Sequence, residues 1–215
     1  MEDRFLEFVK LDLQIIALSL FGLLYAFKVY QLLKLPWPKE VGRERGNQEL
    51  GVLYSFAWLF FPWSMSSTTQ HLGRWVEFAV YHLGAGAAIL GTFTIPFWPA
   101  IMTRPVSLTM AVLVLGALIV GFIKLWRRIV APELRVVSTP DDYFSLAAVQ
   151  VFFFFTAMAL ITEARGWMVA YFLITAAFLI YVPFSKISHY VYWFFARVFF
   201  GIRYGRRGII AGKRA

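Results

Sequence analysis

Two histidines near the ends of long apolar segments are the residues of this chain best suited to chemistry. His82 lies in one such segment and His189 closes another, and the chain has only three histidines. A histidine in a transmembrane helix is costly and therefore often functional. Neutral imidazole is a common axial ligand of haem iron. Since both residues fall at the same expected membrane depth, we predict one b-type haem with His82 and His189 as its axial ligands.

Small residues surround His82 in the stretch YHLGAGAAILG. Ala79, Ala85, Gly86 and Gly91 leave little side-chain bulk near the histidine, and a flat macrocycle lying against a helix needs such space. Small residues also let transmembrane helices approach one another closely. Ordinary helix packing is therefore the alternative explanation of the pattern, and the histidine among them favours haem binding.

Lys186 precedes His189 by less than one helical turn, so the two side chains would share a face. A cation beside a haem can pair with a propionate. Alternatively, the lysine extends its ammonium to the membrane surface while its alkyl stem stays in the apolar layer. Pro183, in the same stretch, is expected to kink the helix.

Other side chains are weaker candidates for an axial ligand. His71 precedes His82 by eleven residues and could share its helical face. It lies in a polar stretch, where a solvated or capping histidine is more usual. Met110, Met158 and Met168 could supply an axial sulfur, but isolated methionines in apolar helices usually serve packing.

The composition is that of a membrane protein. Hydrophobic residues make up 60% and charged residues 15% of the 215 positions, against about a quarter charged in soluble domains. No cysteine is present, which excludes thiolate-bound iron–sulfur clusters and covalently attached haem. The net charge of +9 lies at the flanks of apolar segments, so it does not indicate nucleic-acid binding.

Hydropathy predicts an all-α membrane protein, a five-transmembrane-helix bundle forming a single domain over residues 1–215. About 20 apolar residues cross a bilayer. A further apolar segment, 50–66, is too short to span and is predicted as an additional interfacial helix, or alternatively as a docking surface for a partner subunit. The predicted spans are 11–33, 76–97, 106–125, 143–161 and 167–189, followed by a basic tail at 197–215.

The connections between the predicted spans alternate in charge, so that most basic residues fall on one side of the membrane. By the positive-inside rule, the side richer in lysine and arginine is cytoplasmic. We therefore predict a multi-pass protein of the cytoplasmic membrane, with its N-terminus outside and its C-terminus in the cytoplasm. The cytoplasmic set is Lys34, Lys39, Arg43, Arg45, Arg74, Lys124, Arg127, Arg128, Arg135, Arg197, Arg203, Arg206, Arg207, Lys213 and Arg214.

Three pieces of the sequence carry a resemblance to a known family. They are VEFAVYHLGAGAAILG around His82, STPDDYFSL at 138–146, and VPFSKISH at 182–189. Together with the five-span order and the basic tail, they resemble the gamma subunit of respiratory nitrate reductase. They are also similar to the membrane cytochrome b subunits of heterodisulfide-reductase-like complexes in sulfate reducers and methanogens. The resemblance covers most of the chain from residue 60 onward.

The resemblance implies a cofactor arrangement that this chain keeps only in part. The resemblance implies an arrangement in which four histidines hold two haems. His82 and His189 match the cytoplasmic-side pair of those histidines. The second pair would fall near Thr92 and Tyr171, which are not histidines. The chain therefore resembles a one-haem version without the outer haem, closest to the sulfate-reducer branch.

The implied function is electron transfer between menaquinone, or a periplasmic cytochrome partner, and a cytoplasmic iron–sulfur subunit of the heterodisulfide-reductase-like kind. Other membrane subunits and multihaem cytochrome c subunits would complete such a respiratory complex, and catalysis would belong to the partners. Tyr171, Thr92 and Lys186 are candidates for quinone contact. The alternative is a haem-free membrane anchor that docks redox subunits, and a small-molecule transporter is a third hypothesis.

Overall fold

The structure is a computed structural model that describes residues 2–36, 42–58, 60, 61, 63 and 66–209. These residues form helices and no strand. Five of their helices are long and apolar enough to cross a membrane, which confirms the predicted all-α membrane fold with five spans. Lys39, Lys213 and Arg214 of the charge argument lie outside the described residues.

Seven helices of the described chain exceed two turns, and we number them in chain order. The membrane-length helices are α1, α3, α4, α5 and α6. The connections contain short helical turns, among them Pro99–Ile101, Pro132–Val136, Val182–Phe184 and Lys186–Ser188. The bounds are α1 Arg4–Lys34, α2 Gln48–Ala57, α3 Leu72–Phe97, α4 Arg104–Val130, α5 Pro140–Thr162, α6 Arg165–Tyr181 and α7 His189–Arg206.

The fifth spanning helix ends earlier than the sequence analysis predicted. α6 ends at Tyr181, and two short 3-10 turns lead from it to α7. Proline has no amide hydrogen and disfavours helical geometry in the residue before it, so a helix ends readily ahead of Pro183. The predicted span 167–189 is therefore interrupted, and His189 is the first residue of a new helix.

The described residues group into two compact units. Unit 1 is drawn from residues 1–29 and 76–187, and unit 2 from residues 30–75 and 188–215. Unit 1 contains most of α1 and α3 together with all of α4, α5 and α6. Unit 2 contains α2 and α7.

In the core of unit 1, small residues of α3 and α4 pack against large aromatic residues of α5 and α6. Ala87 and Ala88 of α3 and Ala117 of α4 are buried in one cluster with aromatic and aliphatic side chains of α5 and α6. A Cβ added at Gly84 would lie 2.4 Å from the Leu113 carbonyl oxygen, so α3 and α4 touch through backbone. Close packing of this kind is the main source of helix association in a bilayer. The aromatic and aliphatic members of the cluster are Phe152, Phe153, Leu160, Tyr171 and Phe172.

A buried glutamine fixes α1 in the same unit. The helix contains a π-helical turn at Phe8–Asp12. Gln14 is 2% exposed, and its amide nitrogen donates to the carbonyl oxygens of Val9 at 3.1 Å and Phe172 at 2.8 Å. The Gln14 side chain therefore joins the π-helical turn of α1 to α6.

Unit 2 is built on a close contact between glycine-containing faces of α2 and α7. A Cβ at Gly201 would lie 2.5 Å from the Val52 Cα, and one at Gly51 would lie 2.2 Å from the Gly201 carbonyl oxygen. The Ser55 hydroxyl donates to the Arg197 carbonyl oxygen at 2.8 Å. The predicted interfacial segment 50–66 therefore overlaps α2, whose packing partner is α7.

Candidate functional site

His82 lies on α3, ten residues after the helix begins, and its side chain is exposed on the surface of the unit. Its Nδ1 atom is 2.8 Å from the carbonyl oxygen of Phe78. A carbonyl oxygen only accepts hydrogen bonds, so Nδ1 carries the hydrogen. In neutral imidazole the lone pair then belongs to Nε2. Histidine ligands of metals characteristically donate their other ring N–H to a carbonyl or carboxylate in this way.

An apolar recess of about 330 Å³ opens beside His82 in unit 1. The helices α3 and α4 and the connection between them form its walls. The Thr94 hydroxyl, at the end remote from His82, donates to its own helix and lies 3.2 Å from the Met102 sulfur. Met110, one of the weaker ligand candidates, also lines the recess. The lining residues are His82, Leu83, Gly86, Ala87, Leu90, Thr94, Ile101, Met102, Val106, Met110 and Leu113.

The glycines near His82 have different roles. A Cβ built at Gly86 meets nothing within 4 Å, and this residue lines the recess. A Cβ at Gly84 would clash with α4, and one at Gly91 would lie 2.9 Å from the Tyr171 hydroxyl. Of the small residues predicted to leave space beside His82, Gly86 lines the recess, whereas Ala85 packs against the core of unit 1 and Gly91 lies against Tyr171.

The other two histidines belong to unit 2. His189 is exposed and begins α7. His71 is exposed as well, and its backbone amide donates to the Thr68 carbonyl oxygen in the turn before α3. Pairing of His82 with His189 thus remains a prediction. Within the described residues, no group of three or more His, Cys, Asp and Glu side chains could hold a metal ion.

Lys186 is bound by the N-terminal end of α5. Its ammonium lies 2.6 Å from Asp142 Oδ2 and 2.9 Å from Thr139 Oγ1, and its backbone amide lies 3.3 Å from Asp141 Oδ2. Two of the sequence pieces that carried the family resemblance, 138–146 and 182–189, are therefore in contact. This ion pair accounts for Lys186 without a propionate or a quinone.

Further hydrogen bonds extend from the same carboxylates. Tyr181 donates from its hydroxyl to Asp141 Oδ1 at 3.2 Å, and this hydroxyl lies 2.9 Å from that of Ser145. Arg128, near the end of α4, lies 3.5 Å from Asp142 Oδ1. The start of α5, the end of α4 and the connection after α6 are thus joined by one polar cluster.

Tyr171 and Thr92, the proposed quinone-side residues, have hydrogen bonds within the protein. Tyr171 is fully buried, and its hydroxyl donates to the Ala88 carbonyl oxygen at 2.8 Å. Thr92 donates to the Ile89 carbonyl oxygen of its own helix at 2.6 Å. Both are accounted for by helix packing and local hydrogen bonding.

The sequence analysis missed a second polar group inside unit 1. The Lys124 ammonium lies 4.1 Å from the centroid of the Tyr81 ring, and the Gln150 side chain lies close to the Tyr81 hydroxyl. Arg127 forms an ion pair with Glu77. Lys124 was counted with the cytoplasmic loop, yet it lies within α4. The predicted span 106–125 already included this residue, and that was the available signal.

The opposite end of unit 1 carries a smaller polar cluster. Arg104 forms an ion pair with Glu163 at 3.0 Å and approaches the Leu160 carbonyl oxygen at 3.3 Å. Ser107 donates to the same carbonyl oxygen at 2.8 Å. These contacts occupy the carbonyl at the end of α5 where the chain turns through Glu163, whose φ is 53°.

Comparison with known proteins finds a similar protein whose name states no activity. A curated protein of Nitratidesulfovibrio vulgaris (strain Hildenborough), whose name is only "Protein", is 27% identical over 207 residues, which cover 89% of each chain. No family model matches the chain. No solved structure matches it significantly either.

Proposed function

We propose that this chain is the haem-binding membrane subunit of a respiratory redox complex. In this proposal one b-type haem is ligated by His82 and His189, and the chain transfers electrons between a membrane quinone and a cytoplasmic iron–sulfur subunit. The single observation that carries the proposal is the hydrogen bond from His82 Nδ1 to the Phe78 carbonyl oxygen.

The residues around His82 fit such a cofactor in three respects. The tautomer leaves the lone pair on Nε2, the ring nitrogen farther from the backbone. The neighbouring recess is lined mainly by apolar side chains, and Gly86 leaves part of it open. An exposed histidine on a spanning helix is also costly in lipid unless a ligand or a partner helix covers it. When bound, the haem would supply reversible one-electron chemistry, and the protein would hold and orient it.

The packing farther along α3 supports the proposal of a single haem. At the family's second ligand pair this chain has Thr92 and Tyr171. The buried Tyr171 ring packs against Gly91 and binds Ala88. This volume is therefore filled by a side chain, in keeping with the one-haem prediction.

The partners are inferred from the resemblance and from charge. The end of α7 carries the half-buried Arg203 and Arg206, and the exposed Arg207 follows it. A region rich in arginine attracts an anionic protein or anionic lipid headgroups. A cytoplasmic iron–sulfur subunit could approach the haem there without crossing the bilayer. Menaquinone, a periplasmic cytochrome, other membrane subunits and multihaem cytochrome c subunits remain proposed partners in the cytoplasmic membrane.

Reduced-minus-oxidised visible spectra of the purified chain, with a haem-to-protein ratio, test the proposal. We expect one low-spin bis-histidine haem b per chain. His82→Ala and His189→Ala should each abolish that spectrum, and His71→Ala should keep it. A wild-type chain without haem, or two haems per chain, would contradict the assignment. The first result would favour the haem-free anchor.

A further inference from the structure

We infer that Lys124 is the cation that recognises a carboxylate of the ligand bound at His82, namely a propionate of the haem. This inference rests on the proposed function and extends it to a second contact. It also replaces Lys186, which the sequence had suggested for the same role.

Lys124 lies close to His82. The Lys124 ammonium lies 4.1 Å from the Tyr81 ring centroid, which lies 5.9 Å from the His82 ring centroid. Together, these contacts place the ammonium no more than 10 Å from the imidazole. All three residues belong to unit 1.

The neighbouring cations at this end of unit 1 already have ion-pair partners. Arg127 pairs with Glu77, and both Arg128 and Lys186 pair with Asp142. Among the described residues, no carboxylate lies within ion-pair distance of Lys124, and Glu77, which pairs with Arg127, attracts it only from farther away. Its contact is with the face of the Tyr81 ring, which attracts the cation while leaving hydrogens of the ammonium for an acceptor.

The surrounding residues hold Lys124 in this place. The Gln150 side chain is 4% exposed, and its amide lies against Gly121, where an added Cβ would come within 2.0 Å of the amide nitrogen. The Gln150 amide nitrogen donates to the Leu146 carbonyl oxygen at 3.4 Å, and its side chain lies close to the Tyr81 hydroxyl. The absence of a side chain at Gly121 therefore makes room for Gln150 beside Tyr81, and the Tyr81 ring supports Lys124.

A carboxylate suits this position better than a neutral group. A buried or half-buried ammonium within a spanning helix is costly without an anionic partner. A hydrogen bond between an ammonium and a carboxylate is about twice as strong as one between neutral groups. His82 would thus bind the metal of the ligand, and Lys124 would bind its anionic edge.

The test compares how tightly the wild-type protein and its variants bind two forms of haem b. The full-length apoprotein, in detergent, is titrated with haem b and with haem b whose two propionates are methyl esters. For Lys124→Met we expect a roughly tenfold to hundredfold higher Kd for the free acid, and no change for the diester. Redox titration should also give a lower midpoint potential with the free acid, because a positive charge near the oxidised haem has been removed.

Two comparisons isolate the carboxylate contact. Arg104→Gln removes the same charge from the opposite end of α4, about 30 Å away along the helix, and should leave both affinities unchanged. Tyr81→Leu should reproduce the effect of Lys124→Met, because the ammonium loses its platform, whereas Tyr81→Phe should not. The Tyr81 variants keep the question answerable if Lys124→Met does not fold.

Each outcome decides the inference. Equal weakening for the free acid and the diester would show that Lys124 acts on the fold, and unchanged binding of both would show that it touches no propionate. Either result overturns the inference while the haem remains bound. A wild-type chain that binds neither compound overturns the proposed function, and the inference with it.

Discussion

The ammonium of Lys186 lies 2.6 Å from Asp142 Oδ2, although the two residues are 44 positions apart in the chain. The same carboxylate oxygen also accepts from the backbone amide of Thr139, the N-cap residue of α5, at 2.8 Å. One side chain therefore both caps a spanning helix and holds the connection that leads to His189.

This double role predicts unequal costs for the two partners. Lys186→Met should lower the free energy of unfolding by about 0.5–1 kcal/mol, because the lysine side chain is half exposed. Asp142→Ala should cost about 1–2 kcal/mol, since the helix cap is lost as well. Unfolding in mixed micelles would measure both, and a double-mutant cycle would give their coupling. Equal costs would contradict the additional capping role.

Gly86 and Gly84 offer a matched pair of substitutions on one helix. Gly86→Leu should leave the fold intact, because an added Cβ meets nothing within 4 Å, but should lower the haem-to-protein ratio by filling the recess. Gly84→Leu should instead destabilise the protein, because α4 backbone lies in the way. Thermal unfolding and haem content separate the two effects. Full haem content in Gly86→Leu would exclude this recess as the binding surface.

The contact between α2 and α7 predicts a strong position dependence for glycine substitutions. Gly201→Ala should destabilise unit 2 by about 1–3 kcal/mol, because its Cβ would lie 2.5 Å from backbone that cannot rotate away. Gly22→Ala in α1 is the control, since nothing lies within 4 Å of its added Cβ. Protease cleavage within residues 42–58 should become faster only in the first variant. Equal cleavage rates in both would argue against the close contact.

The membrane orientation can be tested without background labelling, because the chain has no cysteine. In the predicted topology, Arg45→Cys and Arg207→Cys should react with an impermeant thiol reagent only from the cytoplasm. Arg104→Cys should react only from outside. Spheroplasts and inverted vesicles give the two readouts. The reverse pattern would place His82 in the outer half and remove the proposed route to a cytoplasmic partner.

The arginines of α7 predict a docking role that can be separated from haem binding. Neutralising Arg203, Arg206 and Arg207 together should release the iron–sulfur subunit from the purified complex and leave the haem spectrum unchanged. Co-purification and quinone-linked electron transfer are the measurements. If the complex stays intact and active, the basic tail serves membrane orientation only.

The sequence predicted those parts of the fold that depend on local composition. Hydropathy and length were sufficient for the five spans. The break after Tyr181 was only partly foreseen, because Pro183 permits either a kink or an end of the helix. The pairing of α2 with α7 is a contact between glycines far apart in sequence, which has no local pattern. For the site, residue type identified His82, whereas the position of Lys124 over Tyr81 depends on packing between α3 and α4.

The hydrogen bond between Ser55 and Arg197 also has a consequence for biosynthesis, because it joins residues 142 positions apart. Synthesis at 5–20 residues per second delivers α7 roughly 7–30 s after α2. Throughout that interval, α3, α4, α5 and α6 emerge from the ribosome while the glycine face of α2 lacks α7. The contacts between α2 and α7 can therefore form only after nearly the whole chain has been synthesised.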